Sequence, residues 1–383
     1  MFKHLAGADD ALEALLRACN QIQRSEKLSL NYLVGRVLSQ DLYSDRDLPA
    51  FNRAAMDGFA VNSCDTRSAK PYSPIYLDHF LPIRTGMYVP EVFDAIVMLE
   101  DAVLRGNQLE VIAEVYPFKN IARVGEDINR GQTVMKKGHR LRPPDIALLA
   151  ALDIGKAEVY SRPKVAILPT GGELVPIGSR ALEPGEAYEI NGLMTQQYVE
   201  MWGGEPFLHN PIADDLIQIR SAIESHIDMD MIIVIGGTSV GEKDYAPQIL
   251  SELGNLLVHG IRIQPGKPTA IGTICAKPVI CLPGYPVATL SSLYLFVRSA
   301  LKKMARLKDD TKIVFAKLTR KITSKPGYLS IARVALDGDK ATLVMVSGAG
   351  ILSSVARADG FITIPEDKEG LDAGEMVEVQ LFE

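Results

Sequence analysis

The sequence predicts a multidomain α/β protein with a central parallel sheet, a β-rich insertion and a small C-terminal β domain. Two observations predict this class. Short apolar runs alternate with helical stretches in the middle of the chain, and a period-two pattern follows toward its end. The length of 383 residues corresponds to about two to four domains, so the size of the core is not limiting.

The composition argues against several classes of protein, namely nucleic-acid-binding, zinc-binding, disulfide-rich and membrane-spanning proteins. The net charge is −6, and the basic and acidic residues are interspersed without a basic tract, which argues against nucleic acid as a partner. The four cysteines form no CxxC pair, which argues against structural zinc and a disulfide framework. No apolar run approaches the roughly 18 residues of a membrane span, and the N-terminus has the pattern of a helix. We therefore expect a cytoplasmic protein with no membrane partner.

In the N-terminal half, the spacing of apolar residues predicts three helices around a β-rich segment. Helical spacing of leucines and valines predicts helices over Ala8–Cys19 and Ser29–Ser39, and a third helix over Pro143–Leu152. Between Asp45 and Arg140 the pattern changes to short β-like runs divided by prolines, including Ala95–Leu99 and Leu109–Val115.

The middle of the chain predicts strands that are buried on both faces. The apolar runs are Lys164–Leu168, Met229–Ile235 and Pro278–Leu282. Helices are predicted over Asn191–Trp202, with Asn191 as N-cap and Gly203 as stop, and over Val287–Met304. After about Lys308, the sequence predicts strands at Ile313–Leu318, Leu329–Leu336 and Glu375–Leu381, with Asp337 and Gly338 in a hairpin turn.

Each central strand runs directly into a glycine turn. The turns contain Thr170, Gly171 and Gly172, then Gly236, Gly237 and Thr238, and then Pro283 and Gly284. In a parallel sheet, ligands bind beyond the carboxyl ends of the strands, where glycines let backbone N–H groups approach an anion. Glycine and proline at strand ends are also ordinary turn residues, but the recurrence of three such turns favours a phosphate site.

Charged side chains accompany these turns. Glu173, Asp214, Asp215 and Asp244 supply carboxylates, and beside a phosphate they indicate a bridging Mg²⁺, although a single loop acid is more often a helix cap. Lys267, in a proline-rich turn, could direct its ammonium group at an oxyanion or could be a surface lysine.

Two further polar clusters lie in the N-terminal half. Asp47, Arg53 and Asp57 stand among apolar residues in DLPAFNRAAMDGFAV, and Arg123 to Asp127 form a compact polar loop. They are either parts of a cleft or a buried domain junction with capping acids.

The motifs together resemble a known family, the molybdopterin molybdotransferases of the MoeA and gephyrin E-domain type. They are, in order, LPAFNRAAMDGFAV, RTG, RVGEDI, RPKVAILPTGGELV, GGTSVGEKDY, QPGKP, LPGYPV and SGAG. The resemblance implies an extended N-terminal domain at 1–45 and 141–162, a β-rich insertion domain at 46–140, a three-layer α/β molybdopterin-binding (MogA-like) domain at 163–308, and a C-terminal small β-barrel at 309–383.

The resemblance also implies an activity. It implies Mg²⁺-dependent hydrolysis of adenylylated molybdopterin with release of AMP, coupled to insertion of molybdate. It further implies a homodimer with a cleft between the central domain of one subunit and the insertion domain of the other. A MogA-type adenylyltransferase and apo-molybdoenzymes are implied as possible further partners.

Site residues follow from the resemblance position by position. Positions that match the family's active site are Asp57, Thr85, Asp127, Glu173, Asp214 and Asp244, with Glu173 and Asp244 as metal ligands. The implied cofactor-binding residues are Gly171, Gly172, Gly236, Gly237, Ser239, Lys267, Pro283 and Gly284, with Arg333 and Ser347 as looser candidates for molybdate contacts.

Three positions depart from the family pattern. Gly172 replaces an Asp, Gln264 replaces a Lys, and Tyr285 replaces an Asn. These departures keep two alternatives open, a tungstate-preferring variant and a catalytically altered molybdopterin-binding or scaffold protein. The central domain alone leaves a third, a nucleotide pyrophosphatase resembling the CinA proteins. The N-terminal MDG motif argues against the pyrophosphatase.

Overall fold

The structure, a computed structural model, describes residues 5–237, 245–346 and 348–383. The chain divides into two compact units, one formed by the residues up to Arg24 together with Tyr160–Glu383, and the other by Ser25–Val159. Within these residues the α-helices are α1 Ala8–Ala18, α2 Pro143–Ala151, α3 Asn191–Met201, α4 Leu216–Glu224, α5 Tyr245–Leu253, α6 Pro286–Ser292, α7 Arg298–Met304 and α8 Ser353–Ala356. None of them combines the length and apolar character needed to cross a membrane.

The first unit is built on a six-stranded mixed sheet. Its strands lie in the order Glu205–Leu208, Lys164–Pro169, Met231–Ile235, Lys277–Leu282, Ala270–Ile274 and Asn255–His259. The first four are mutually parallel and the last two pairings are antiparallel. The predicted parallel arrangement of the three apolar runs is therefore confirmed, and an antiparallel edge extends it.

Both faces of this sheet are covered, which makes three layers. Alternate residues along a strand point to opposite faces, so Val165 and Ile167 pack with α1, α3 and α7, whereas Ala166 and Leu168 pack with α4 and α5. All four side chains are fully buried, and each larger one contributes about 1.5–3 kcal/mol to stability. The three-layer prediction is confirmed.

The predicted C-terminal barrel is also confirmed. The strands Ile313–Leu318, Lys340–Met345, Leu329–Asp337, Gly360–Ile364 and Met376–Leu381 pair in a closed ring in that order. Smaller pairings in this unit join Leu174–Val175 to Ala187–Tyr188, Ile263–Gln264 to the start of Leu329–Asp337, and Ile322–Thr323 to Gly370–Leu371. The hairpin turn lies one residue later than predicted, at Gly338 and Asp339, because Asp337 still pairs with Lys340.

The second unit is rich in short strands. Two three-stranded sheets order Leu81–Ile83, Gly58–Val61 and Ala95–Met98 in one, and Ile75–Leu77, Gln108–Val111 and Ala102–Arg105 in the other. Two-stranded pairs join Ser25–Ser29 to Lys156–Tyr160, Leu42–Tyr43 to Thr133–Met135, and Arg53–Ala54 to Ile121–Ala122. The predicted β-like character of this region is confirmed.

The helix predicted over Ser29–Ser39 is wrong. Ser25–Ser29 is a strand, Leu30–Tyr32 is a single 3₁₀ turn, and Gly35 has a φ of +80° that an α-helix does not allow. Leu33 is fully buried while Val34 is half exposed, so the leucine spacing reflects tertiary packing of an irregular segment.

Asn191 is not the N-cap of α3, as predicted, but its first residue. Ile190 occupies the cap position, and the Asn191 side chain instead donates from Nδ2 to the Gly284 carbonyl at 2.7 Å. The helix ends as predicted, because Gly203 adopts a φ of +91° just beyond it.

The ends of the parallel strands approach one another closely at Gly236. A Cβ atom at this position would lie 2.3 Å from the Thr170 carbonyl oxygen, and φ is +97°. Thr170 N donates to Ile235 O at 2.7 Å, and Gly236 N donates to Leu282 O at 2.9 Å. Neither strand end can withdraw without breaking these bonds, so residue 236 must be glycine.

We predict that Gly236→Ala destabilises the first unit more than Gly185→Ala. Gly185 has a similar φ of +95° but nothing within 4 Å of its Cβ position, so both variants incur backbone strain and only Gly236→Ala adds a clash. The difference should be about 1–3 kcal/mol in the free energy of unfolding. Urea denaturation followed by the fluorescence of Trp202, the single tryptophan and fully buried in this unit, measures it. Equal destabilisation by the two variants would contradict the close approach.

A second prediction concerns Asp145 in α2. Its carboxylate accepts from Arg142 Nε at 3.0 Å and from Arg142 N at 2.8 Å, and it contacts His139 Nε2 at 2.8 Å. These partners, Arg142 first, hold the pKa of Asp145 well below its usual range. Asp145→Asn should therefore cost about 1–2 kcal/mol of unfolding free energy at neutral pH.

The stabilisation by the Asp145 carboxylate should be present at neutral pH and should be lost in acid. Because the pKa is lowered on folding, the stabilisation is complete above the unfolded pKa of about 3.9 and is lost as the pH falls through the folded value. The gap between wild type and Asp145→Asn, followed by circular dichroism in urea, should shrink only below about pH 4. Asp153→Asn is the control, since that side chain is 79% exposed and should change stability by less than about 0.5 kcal/mol. A gap that is constant down to pH 2 would refute the assignment.

Candidate functional site

Three glycine turns meet at one edge of the central sheet. They follow the adjacent parallel strands Lys164–Pro169, Met231–Ile235 and Lys277–Leu282, so their positions are set by strand pairing. A Cβ atom at Gly284 would lie 3.7 Å from Gly236 Cα, and Gly237 also faces Thr170. The turns are therefore packed main chain to main chain, and the small residues keep the space beyond them open.

The amide groups of these turns are less available than the sequence suggests. Gly171 N donates to Ile212 O at 2.9 Å, and Gly236 N donates to Leu282 O. Gly172 N donates to the Asp214 carboxylate at 3.4 Å. These N–H groups therefore donate to neighbouring segments and to Asp214 in this structure, and their binding to an anion stays a prediction.

The turns enclose a pocket of about 400 Å³, which we call the strand-end pocket. It contains seven of the residues proposed from the sequence: Gly171, Glu173, Asp214, Gly236, Gly237, Pro283 and Gly284. Glu173 is exposed and Asp214 is half-buried, so both carboxylates can reach a ligand. Asp215, next in sequence, instead caps α4 by accepting from Ile217 N and Gln218 N at 3.1 and 2.9 Å.

A second pocket of about 410 Å³, the lysine pocket, adjoins the first. Its walls include Gln264 and Lys267 from the proline-rich turn and Lys325 and Tyr328 from the barrel. Pro268, Pro283 and Tyr285 line both pockets. One pocket thus carries two carboxylates and its neighbour carries two lysines, an arrangement suited to a ligand with a metal-bridged phosphate and a separate oxyanion.

The main chain around Lys267 is fixed. Ile261 N donates to Lys267 O at 2.9 Å, and Thr269 donates to Gly266 O from both N and Oγ1, at 3.0 and 2.7 Å. The turn therefore holds the base of the Lys267 side chain, as its sequence predicts. In the barrel, Lys325 Nζ lies 5.0 Å from the centre of the Tyr328 ring. Sequence reasoning missed Lys325 and Tyr328, because no pattern in their loop connects it to residues 264–268.

Asp57, Thr85 and Asp127 lie in the other compact unit. Asp57 Oδ1 accepts from Thr85 N at 2.7 Å and from Thr85 Oγ1 at 2.9 Å. These two hydrogen bonds, the backbone one first, lower the pKa of Asp57. The structure therefore joins Asp57 and Thr85 in a local pair, while Asp127 is exposed on the loop that follows Arg123.

The remaining candidates are elsewhere or lie outside the described residues. Ser239, Asp244 and Ser347 belong to the latter group, so the structure does not place the proposed metal ligand Asp244. Arg333 is only 1% exposed, and burial lowers its pKa. It lines a separate small void with Val287 and Phe361, and it does not line either of the two adjoining pockets.

Metal binding by the described residues would rest on few ligands. Among them, no three His, Cys, Asp or Glu side chains converge as a metal-binding group. Glu173 and Asp214 in the strand-end pocket nevertheless fit Mg²⁺, which uses one or two carboxylates and completes its shell with water and phosphate oxygens.

Three known families of domains together match most of the chain. Residues 7–152 match the MoeA N-terminal region (domain I and II), residues 166–303 match the probable molybdopterin binding domain, and residues 316–382 match the MoeA C-terminal region (domain IV).

Individual relatives align over nearly their full length. A Methanocaldococcus jannaschii protein assigned by name to molybdopterin biosynthesis is 33% identical over 97% of this chain and 95% of its own. Molybdopterin molybdenumtransferase 2 of Mycobacterium tuberculosis is 30% identical over 95% of this chain and 96% of its own. The crystal structure of a molybdopterin biosynthesis MoeA protein from Pyrococcus horikoshii superposes with a TM-score of 0.85 at 34% identity, covering 99% of this chain and 100% of that one. The two pockets are thus carried by a chain that belongs to the MoeA family.

Proposed function

We propose that this protein is a molybdopterin molybdenumtransferase of molybdenum cofactor biosynthesis. It hydrolyses adenylylated molybdopterin, releases AMP and inserts molybdate, in a Mg²⁺-dependent reaction in the cytoplasm. The observation that supports this most directly is the pair of adjoining pockets with opposite charge, which share the walls Pro268, Pro283 and Tyr285. The substrate carries a phosphoanhydride and must meet a second oxyanion, so its chemistry matches both pockets.

The roles of the residues follow from this match. Glu173 and Asp214 would hold Mg²⁺ and orient the phosphoanhydride for attack by water; when bound, the ion neutralises charge that develops on phosphate oxygens. Lys267 and Lys325 would direct their positive charges at molybdate in the lysine pocket, next to the wall that this pocket shares with the strand-end pocket. The opposite charges of the two pockets favour binding of the phosphoanhydride and molybdate in separate positions.

We also propose a homodimer, as the family resemblance implies, in which Asp57, Thr85 and Asp127 of one subunit serve the strand-end pocket of the other. The support is chemical. The described part of that pocket contributes two carboxylates, and Asp57 stays ionised because Thr85 lowers its pKa. A MogA-type adenylyltransferase would supply the substrate, and apo-molybdoenzymes would accept the product. A monomer mass in sedimentation equilibrium at assay concentrations would contradict the dimer.

The departures from the family pattern favour one alternative, a paralogue that binds molybdopterin as a scaffold without turnover. Gly172 supplies no carboxylate to the strand-end pocket, and Gln264 supplies no charge to the lysine pocket. The deciding assay combines the protein with adenylylated molybdopterin, Mg²⁺ and molybdate, and follows AMP release and activation of an apo-molybdoenzyme. Binding without either product would establish the scaffold; replacing molybdate with tungstate tests the metal preference.

We predict that Asp214→Asn lowers the rate of AMP release by about 100-fold, because it removes one of the two carboxylates that would hold Mg²⁺ at the phosphoanhydride. Asp215→Asn is the matched control: the substitution is the same and lies one residue away, and asparagine retains the cap of α4. Circular dichroism should show both variants folded. Equal rates for Asp214→Asn and wild type would exclude the role assigned to Asp214.

For the lysine pocket, Lys267→Ala should weaken molybdate binding by about 1.5–3 kcal/mol, the contribution of a charge-assisted hydrogen bond. Isothermal titration with molybdate measures the change. Lys340→Ala, an exposed lysine of the barrel hairpin outside both pockets, serves as the control for net charge. If the two variants bind molybdate alike, Lys267 is not part of the oxyanion site.

A further inference from the structure

Tyr285 occupies an unusual position between the two pockets. It lines both of them, and it is 67% exposed. A single exposed aromatic residue is ordinary on a protein surface. An exposed ring that forms the partition between a carboxylate pocket and a lysine pocket, however, is available to any ligand that enters both.

The main chain beneath the ring is held firmly. Three consecutive carbonyl groups each accept a hydrogen bond: Pro283 O from Thr289 Oγ1 at 2.6 Å, Gly284 O from Asn191 Nδ2 at 2.7 Å, and Tyr285 O from Thr289 N at 2.9 Å. Tyr285 also precedes Pro286, the first residue of α6, whose ring restricts the backbone further. The exposed ring therefore projects from a preorganised base, which lowers the entropic cost of binding a ligand.

The barrel borders the same ring. A Cβ atom at Gly350 would lie 3.5 Å from Tyr285 Cδ1 and 3.8 Å from Cε1, so a larger residue there would extend over the ring. Val287 N donates to Ala349 O at 2.9 Å and fixes this loop beside the start of α6. Glycine at 350 thus leaves ring surface accessible while the loop limits its movement.

We propose that Tyr285 is a binding residue that stacks on a planar, fused nitrogen heterocycle of the ligand. Aromatic side chains bind such rings through their faces, whatever the hydrogen-bonding pattern at the ring edge. This inference rests on the proposed function, because that substrate carries two rings of this class, a pterin and an adenine. The ring binds at the partition, and the charged groups of the ligand extend into the pockets on either side.

The test uses the full-length protein as wild type, Tyr285→Phe, Tyr285→Ala and Phe315→Ala. Phe315 is a matched control, since it is 65% exposed in the same unit and lines neither pocket. The probes are neopterin and AMP, titrated separately to distinguish the two sources of the ring, and inorganic pyrophosphate, which has no ring. The steady-state KM and kcat of AMP release are measured in parallel.

Tyr285→Ala should raise the Kd for neopterin or AMP about tenfold, with a matching rise in KM and little change in kcat. Tyr285→Phe keeps the ring and should stay within about twofold of wild type, as should Phe315→Ala. Pyrophosphate binding should be unchanged in all variants. A purely structural role would move pyrophosphate binding together with the ring compounds.

Unchanged affinities of Tyr285→Ala for both neopterin and AMP would overturn the proposal, as would a Tyr285→Phe defect as large as that of Tyr285→Ala. The same measurements distinguish failure of the stacking role of Tyr285 from failure of the proposed AMP-releasing activity. If wild type releases AMP and Tyr285→Ala has a normal KM, only the role of Tyr285 fails. If wild type binds the ring compounds through Tyr285 but releases no AMP, the stacking role stands and the hydrolysis fails.

Discussion

The close approach of the Thr170 carbonyl to Gly236 is the constraint on which the site depends. It lets two neighbouring strand ends converge without intervening side chains, and it brings the Pro283–Gly284 turn alongside them. The amide groups of Gly171 and Gly236 are used in holding this arrangement. The glycines therefore act chiefly by making room, and the charged side chains around that room supply the binding chemistry.

The lysine pocket depends on a second constraint, the attachment of the barrel to the helices of the sheet. Arg298 of α7 is 2% exposed, and it contacts Asp309, Thr311 and Glu383 around the two ends of the barrel sequence. Glu383 also accepts from the indole of the buried Trp202. Because a buried arginine without its acidic partners would be costly, this cluster holds both ends of the barrel sequence against α7, in the same unit as the lysine pocket.

Much of this fold could be predicted from local patterns, because the central strands are buried on both faces and appear as continuous apolar runs. The barrel strands showed their period of two for the complementary reason, having one face in the core. Prediction failed where tertiary contacts override local preference. Leu30, Leu33 and Val37 have helical spacing in an irregular segment, and the Asn191 amide binds a distant turn instead of capping its own helix.

The candidate site was less accessible to sequence reasoning than the fold. Glu173, Asp214 and Lys267 could be proposed because they stand in or beside recognisable turns. Lys325 and Tyr328 could not, since their loop reaches the proline-rich turn through the pairing of Ile263–Gln264 with the start of Leu329–Asp337, which no local pattern indicates. The hydrogen bonds donated by the Gly171 and Gly236 amides could not be predicted from the sequence either, because they depend on how distant segments pair.

We infer that the strand-end pocket and the lysine pocket act as one ligand site at the end of the sheet. Hydrogen–deuterium exchange of the full chain, with and without pyrophosphate, Mg²⁺ and molybdate together, tests it most directly. We expect slower exchange in peptides that cover residues 170–174, 212–216, 264–268 and 283–287. Unchanged exchange in those four segments, with protection appearing only in other parts of the chain, would contradict it.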